Sequence, residues 1–212
     1  MGALPWILGG GALAYVATRM IGSTRDNSAT PSPPSVPIKL VGTWVWPLPR
    51  WNGRAPAISD GFSSPRPGGI RHGGVDLMFE RTKADTFKAG SPNGTKAFVM
   101  PDHMLALAAS DGRVRLAAAT PRGLTVQLEH DDKLVTYYTH LDELLVQRTT
   151  GAKSGERVRA GQPIGVVGAD PQDAEHIKHL HFEIWLPPGK PENRIDPEPL
   201  VRNWPIAAIP TV

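Results

Sequence analysis

Glycine and proline interrupt this chain too often for long helices to form. It holds 22 of each among 212 residues, about a fifth of the chain where roughly 12% is usual. A helix must suppress the backbone freedom of each glycine and loses an amide donor at each proline. Short strands joined by turns tolerate both, so the expected fold class is mostly β. Hydrophobic residues at 40% and charged residues at 20% suffice to close one core in a chain of this length. The chain has no cysteine, which excludes disulfides, thiolate zinc sites, iron–sulfur clusters and a cysteine nucleophile. Its net charge of +3 is too slight to mark a nucleic-acid binder, and no nucleic-acid partner is expected.

Residues 1–26 carry no charge before Arg19 and are largely apolar, close to the ~20 residues a membrane helix needs. They read as an apolar N-terminal helix, either a membrane anchor or a segment buried in an assembly such as a phage tail. Ala12-Leu13-Ala14 is like a signal-peptide cleavage site, but no basic stretch precedes the apolar run. Arg19 and Arg25 follow that run, a bias that places the next domain on the cytoplasmic side and keeps the particle setting open. Residues 27–41 make a proline-rich linker, extended rather than helical. Residues 42–203 are the domain, and 204–212 a short tail.

Within the domain, residues 124–130 and 133–141 read as a hairpin around the Asp131-Asp132 turn. Residues 112–117 precede it as a strand, 155–168 hold a turn and another short strand, and 179–185 form the clearest strand of all. Residues 81–98 read as a long, mobile polar loop. The tryptophans and Tyr137 and Tyr138 are expected in the core or in a groove wall. His103 and His130 are expected to face solvent, and His176 to graze a groove rim.

The common catalytic signatures are missing: no H-E-x-x-H, no G-x-S-x-G and no phosphate-binding loop occurs. What remains is histidine and aspartate at suggestive spacing. His179 and His181 lie two apart, so in a strand they share a face while Leu180, Phe182 and Ile184 turn to the other. In Gly69-Ile70-Arg71-His72-Gly73-Gly74-Val75-Asp76 the glycines let the backbone turn sharply and deliver His72 and Asp76 to one point. Alternatively His72 caps a turn and Asp76 bonds nearby amides. With one histidine of the pair, these two supply the three protein ligands typical of catalytic zinc, leaving a position open for water. A proton carrier is then needed. His140, ending Tyr137-Tyr138-Thr139-His140 where a strand is expected to run out into a loop, is one candidate, and the spare histidine is the other.

These residues resemble the lysostaphin-type, or LytM-domain, zinc endopeptidases that cut peptidoglycan cross-links. The family pattern is a His, three residues, then Asp in a glycine-rich turn; a later His at a strand end; and a final H-x-H. His72 with Asp76, His140, and His179 with His181 occur in that order. Trp46-Pro47-Leu48-Pro49, Ser59-Asp60-Gly61-Phe62 and residues 155–165 agree with the flanking text, and the likeness runs over residues 42–200. It implies a compact antiparallel, sandwich-like β-domain with a groove across one sheet. It implies one zinc ion held by His72, Asp76 and His181, with His140 and His179 handling the proton and the developing oxyanion. The implied substrate is the peptide part of peptidoglycan, and the implied location is the cell envelope, membrane-anchored and periplasm-facing, or a phage virion. A LytM-like module that cuts nothing but activates a separate wall hydrolase is the alternative. Residues 81–98 make a longer loop than the family pattern suggests after the Asp motif, which bears on substrate preference.

Overall fold

A computed structural model describes residues 40–147 and 155–207. Residues 1–26, read above as an anchor or particle-buried helix, and nearly all of the linker lie outside the described residues. Among the described residues, no helix is long and apolar enough to cross a membrane.

Eleven short strands dominate: β1 (Ala57–Asp60), β2 (Val75–Glu80), β3 (Phe98–Val99), β4 (Leu105–Leu107), β5 (Gly112–Thr120), β6 (Gly123–Glu129), β7 (Val135–Leu144), β8 (Arg157–Val158), β9 (Pro163–Val167), β10 (Leu180–Trp185) and β11 (Arg194–Ile195). The one α-helix among the described residues, α1 (Glu198–Val201), has four residues. This is the mostly β, antiparallel architecture expected from the punctuation. The sheet runs β1-β2-β10-β7-β6-β5-β8, with β3 on β2 and β11 on β10. The expected hairpin is β6 and β7, closed at Glu129↔Val135.

Strand β7 continues four residues past His140, so the histidine is not at a strand end as expected. Its first half pairs with β10, from Val135 to Thr139. Its second half pairs with β9, from Leu141 to Leu144, and β9 pairs with β4. His140 sits at the bend with φ of +64°, a left-handed conformation that a side-chain-bearing residue adopts at a cost. The change of partner brings β9, with β4 paired to it, onto the second half of β7. Ala106, Ile164 and Val167 from that arm thereby join Leu77, Leu180 and Phe182 in one apolar cluster.

Alternation on β10 sets which chemistry faces the groove. Leu180, Phe182 and Ile184 are wholly buried in that cluster, each contributing about 1.5–3 kcal/mol by leaving water. His181 and Glu183 take the other face. Trp44, Trp46, Trp185, Trp204 and Tyr138 are buried, and Tyr137 lines the groove, as expected for core and wall.

Two expectations need correction. Residues 81–98 do form a long loop, but it is tied down. The Arg54 guanidinium grips Asp85 with two bonds of 2.6 and 3.0 Å while stacking 4.0 Å over Trp51. The Arg81 guanidinium donates to the carbonyls of Thr86, Thr95 and Phe98. His130 is buried rather than solvent-facing. Its Nδ1 meets the Asp111 carbonyl at 2.7 Å and its Nε2 the Thr136 hydroxyl at 2.8 Å, under the Trp44 ring. His103 is exposed, as expected, and so is His176. The latter lines a separate cleft against the 81–98 loop rather than the main groove.

Candidate metal centre and its groove

Asp76 and His181 stand directly opposite each other on antiparallel β2 and β10, so strand register alone places their side chains together. His72 arrives from the turn before β2, locked by backbone bonds between its amide and the Ser64 carbonyl and between its carbonyl and the Ser63 amide. Gly74 makes the approach possible, because any side chain there would overlap the Phe182 carbonyl. His72 Nε2 lies 2.9 Å from His181 Nδ1 and 3.0 Å from Asp76 Oδ1, and His181 Nδ1 lies 2.9 Å from Asp76 Oδ1. All three residues are buried.

The protons at these atoms can be counted. His72 Nδ1 faces the Gly61 carbonyl at 2.8 Å, which only accepts, so the hydrogen of a neutral ring sits there and Nε2 is bare. His181 lies between two carboxylates, with Nε2 2.9 Å from Glu183 Oε1 and Nδ1 2.9 Å from Asp76 Oδ1, and its neutral tautomer with the hydrogen on Nε2 presents a bare Nδ1. Asp76 Oδ2 accepts from Arg66 at 2.8 Å, and Oδ1 is left for the centre. In those tautomers two lone pairs and a carboxylate oxygen converge within 3.0 Å, a cluster that a shared hydrogen or a bound cation satisfies. Nitrogen and oxygen donors on tetrahedral zinc, at about 2.0–2.1 Å from the ion, sit about 3.4 Å apart. The donor set therefore fits a small divalent cation.

Titration follows the same contacts. Burial works against ionised Asp76, yet the His181 and His72 rings beside it, where they carry the hydrogen, hold its carboxyl well below the usual range. Burial likewise opposes a charged His181, but the Asp76 and Glu183 carboxylates outweigh it and raise the ring. His140 behaves oppositely. Burial, reinforced by the neighbouring His179, pushes it down to about 3.

His140 and His179 share the floor of the groove with the three donors, in a cavity of about 750 Å³. Their rings lie 4.7 Å apart, and the His140 ring is 5.7 Å from that of His181. His179 Nε2 is 3.7 Å from Asp76 Oδ1. Each ring turns Nδ1 to a backbone carbonyl, Arg122 at 2.9 Å for His140 and Ile177 at 2.8 Å for His179, so each neutral ring keeps a bare Nε2. All five residues singled out in the sequence thus lie in one groove. The sequence reading passed over Glu183, Arg66 and Asp170, whose Oδ2 lies 3.6 Å from His140 Nε2. Of these, Glu183 carried a signal: it follows His181 by two residues, on the same strand face.

The profile of peptidase family M23 matches residues 92–197, half of the chain. The chain belongs to peptidase family M23. Its fold is similar to the catalytic domain of the antimicrobial peptidase lysostaphin from Staphylococcus simulans, with 23% identity over 72% of this chain and 95% of that one at a TM-score of 0.50. A zinc-containing peptidase from Vibrio cholerae is similar at 24% identity and a TM-score of 0.50, over 73% of this chain but 39% of that one. A chain of the SpoIIIAH–SpoIIQ complex is similar at 21% identity and a TM-score of 0.52, over 74% and 99%. At these identities the likeness is one of fold. The M23 profile begins beyond His72 and Asp76, and these two reach the matched region through the pairing of β2 with β10.

Proposed function

We propose that this M23 domain is a zinc-dependent endopeptidase that hydrolyses peptide cross-links of bacterial peptidoglycan. The observation that supports this most strongly is the convergence at the groove floor of His72 Nε2, His181 Nδ1 and Asp76 Oδ1, all buried and within 3.0 Å of one another. Catalytic zinc sites take three protein ligands of these types. Zinc held there supplies a Lewis acid that polarises a carbonyl and lowers the pKa of water to about 7.

The remaining work belongs to the chain's own residues. His72, Asp76 and His181 hold the ion, and Arg66 occupies the second Asp76 oxygen so that one oxygen is presented. His140 is neutral at pH 7 and offers Nε2 to the groove, fit to take a proton from the attacking water. His179, tied in the same way, presents a second bare Nε2, which donates to the oxygen that gains negative charge once it has taken up a proton. Either ring, once protonated, can pass its proton to the leaving amine. Such a substrate suits work in the cell envelope with residues 1–26 as a membrane anchor, or in a phage virion with those residues held in the particle.

Digestion of purified peptidoglycan by the full chain, with fragments read by mass spectrometry, tests the reading. New amino termini should appear, vanish on chelation and return with added zinc, and Asp76→Asn should abolish them. Undiminished hydrolysis after rigorous metal removal would refute the mechanism. A chain without stoichiometric zinc and inert on cell wall would favour the non-catalytic activator instead.

A further inference from the structure

We propose that Glu183 is a positioning residue that frees His181 Nδ1 for the metal, and that Trp185 and Arg194 hold Glu183 in that role. The inference rests on reading His72, Asp76 and His181 as a zinc site. Alternation along β10 puts residues 181, 183 and 185 on one face, so ligand, orienting group and the support of that group follow each other along a single strand. His181 stands between two carboxylates, with Asp76 Oδ1 2.9 Å from Nδ1 and Glu183 Oε1 2.9 Å from Nε2. A neutral imidazole has one N–H. Left alone, Asp76 would draw that hydrogen to Nδ1 and place it where the ion must bind. Glu183 pulls from the other side and fixes the hydrogen on Nε2.

Glu183 is buried, a place where a carboxylate costs energy unless its oxygens find partners. The oxygen turned away from His181 finds them: Oε2 accepts from the Trp185 indole N–H and forms an ion pair with Arg194, whose Nε lies 3.2 Å away without hydrogen-bond alignment. Arg194 comes from β11, directly opposite Trp185. This division leaves Oε1 to His181. Space is kept clear for it, since a Cβ at Gly73 would sit 2.8 Å from Arg194 Nη1 and 3.0 Å from Glu183 Oε1. The glycine after His72 thereby serves the carboxylate behind His181 as well as the turn.

The test uses the full chain, with zinc affinity read by competition against a chromophoric chelator. Long-range proton–nitrogen NMR of the zinc-loaded protein reads the His181 tautomer. Glu183→Ala should weaken zinc binding toward the upper end of the roughly 10–100-fold loss typical of such partners. Glu183→Gln, whose amide oxygen still accepts from Nε2–H, should lose about tenfold. The wild-type Nε2–H signal should be shifted downfield and slow to exchange; it should persist in the Gln variant and be lost from the Ala variant. Should Glu183→Ala fail to fold, Glu183→Gln, matched in shape, carries the test. Folded variants with zinc affinity within about twofold of wild type and an unchanged Nε2–H signal would overturn the positioning role alone. A folded wild type that takes up no zinc would overturn the site reading, and this inference with it.

Discussion

His140 should make the zinc-free chain sensitive to mild acid, and the size of the effect follows from its burial. Its ring is held near a pKa of about 3 when folded, against about 6.5 in an unfolded chain. Between those values the unfolded state binds the extra proton, so stability falls as pH drops below about 6.5 and the loss levels off near pH 3. From pH 7 to pH 5 that one group costs about 2 kcal/mol. His130, lowered chiefly by burial, acts in the same direction, whereas the raised His181 stabilises on the acid side and loses that contribution as pH rises through its folded value. The measurement must therefore isolate His140. His140→Asn serves, because asparagine tolerates the left-handed backbone found there and does not titrate. Urea unfolding of chelator-treated wild type and variant at pH 7 and pH 5 gives two differences. The wild type should lose about 2 kcal/mol more than the variant. Equal losses would mean that the folded chain protonates His140 without penalty, with Asp170 at 3.6 Å compensating for burial, and the neutral base assumed in the proposed function would lose its support.

Two further perturbations probe how the site is assembled. Gly74→Ala should force β2 away from β10 at the Phe182 carbonyl, lowering the melting temperature and zinc affinity together; zinc binding at wild-type strength would show that the close approach is dispensable. Asp85→Ala removes the anchor of Arg54 on the 81–98 loop and should open new cleavage sites within residues 81–98 under limited proteolysis, while the same cleavage pattern as wild type would show that the Arg81 contacts alone hold the loop.

Local periodicity was readable in the sequence because it depends on neighbours in the chain. A period of two told which face of residues 179–185 would be apolar, and Leu180, Phe182 and Ile184 are wholly buried. Applied one step further, the same rule would have found Glu183. Partnerships across the chain were not readable in that way. His130 follows a strand and precedes two aspartates, which suggested solvent. Its burial is decided by the Asp111 carbonyl, by Thr136 across the turn and by Trp44, the last lying far away in sequence. His140 was expected where a strand ends, but β7 only changes partners there, from β10 to β9. That exchange depends on where β9 docks, which residues 137–140 do not encode. The 81–98 loop was read from polarity as free, although two arginines use that polarity to hold it. The candidate metal centre combines both cases. Its residue types and spacings can be seen in the chain, but their convergence requires Asp76 to face His181 across β2 and β10. A slip of one residue in that pairing would turn Asp76 to the opposite face of the sheet. The buried Val75 and Leu77 on one strand and Leu180 and Phe182 on the other hold the register, so the apolar core sets the geometry of the polar site.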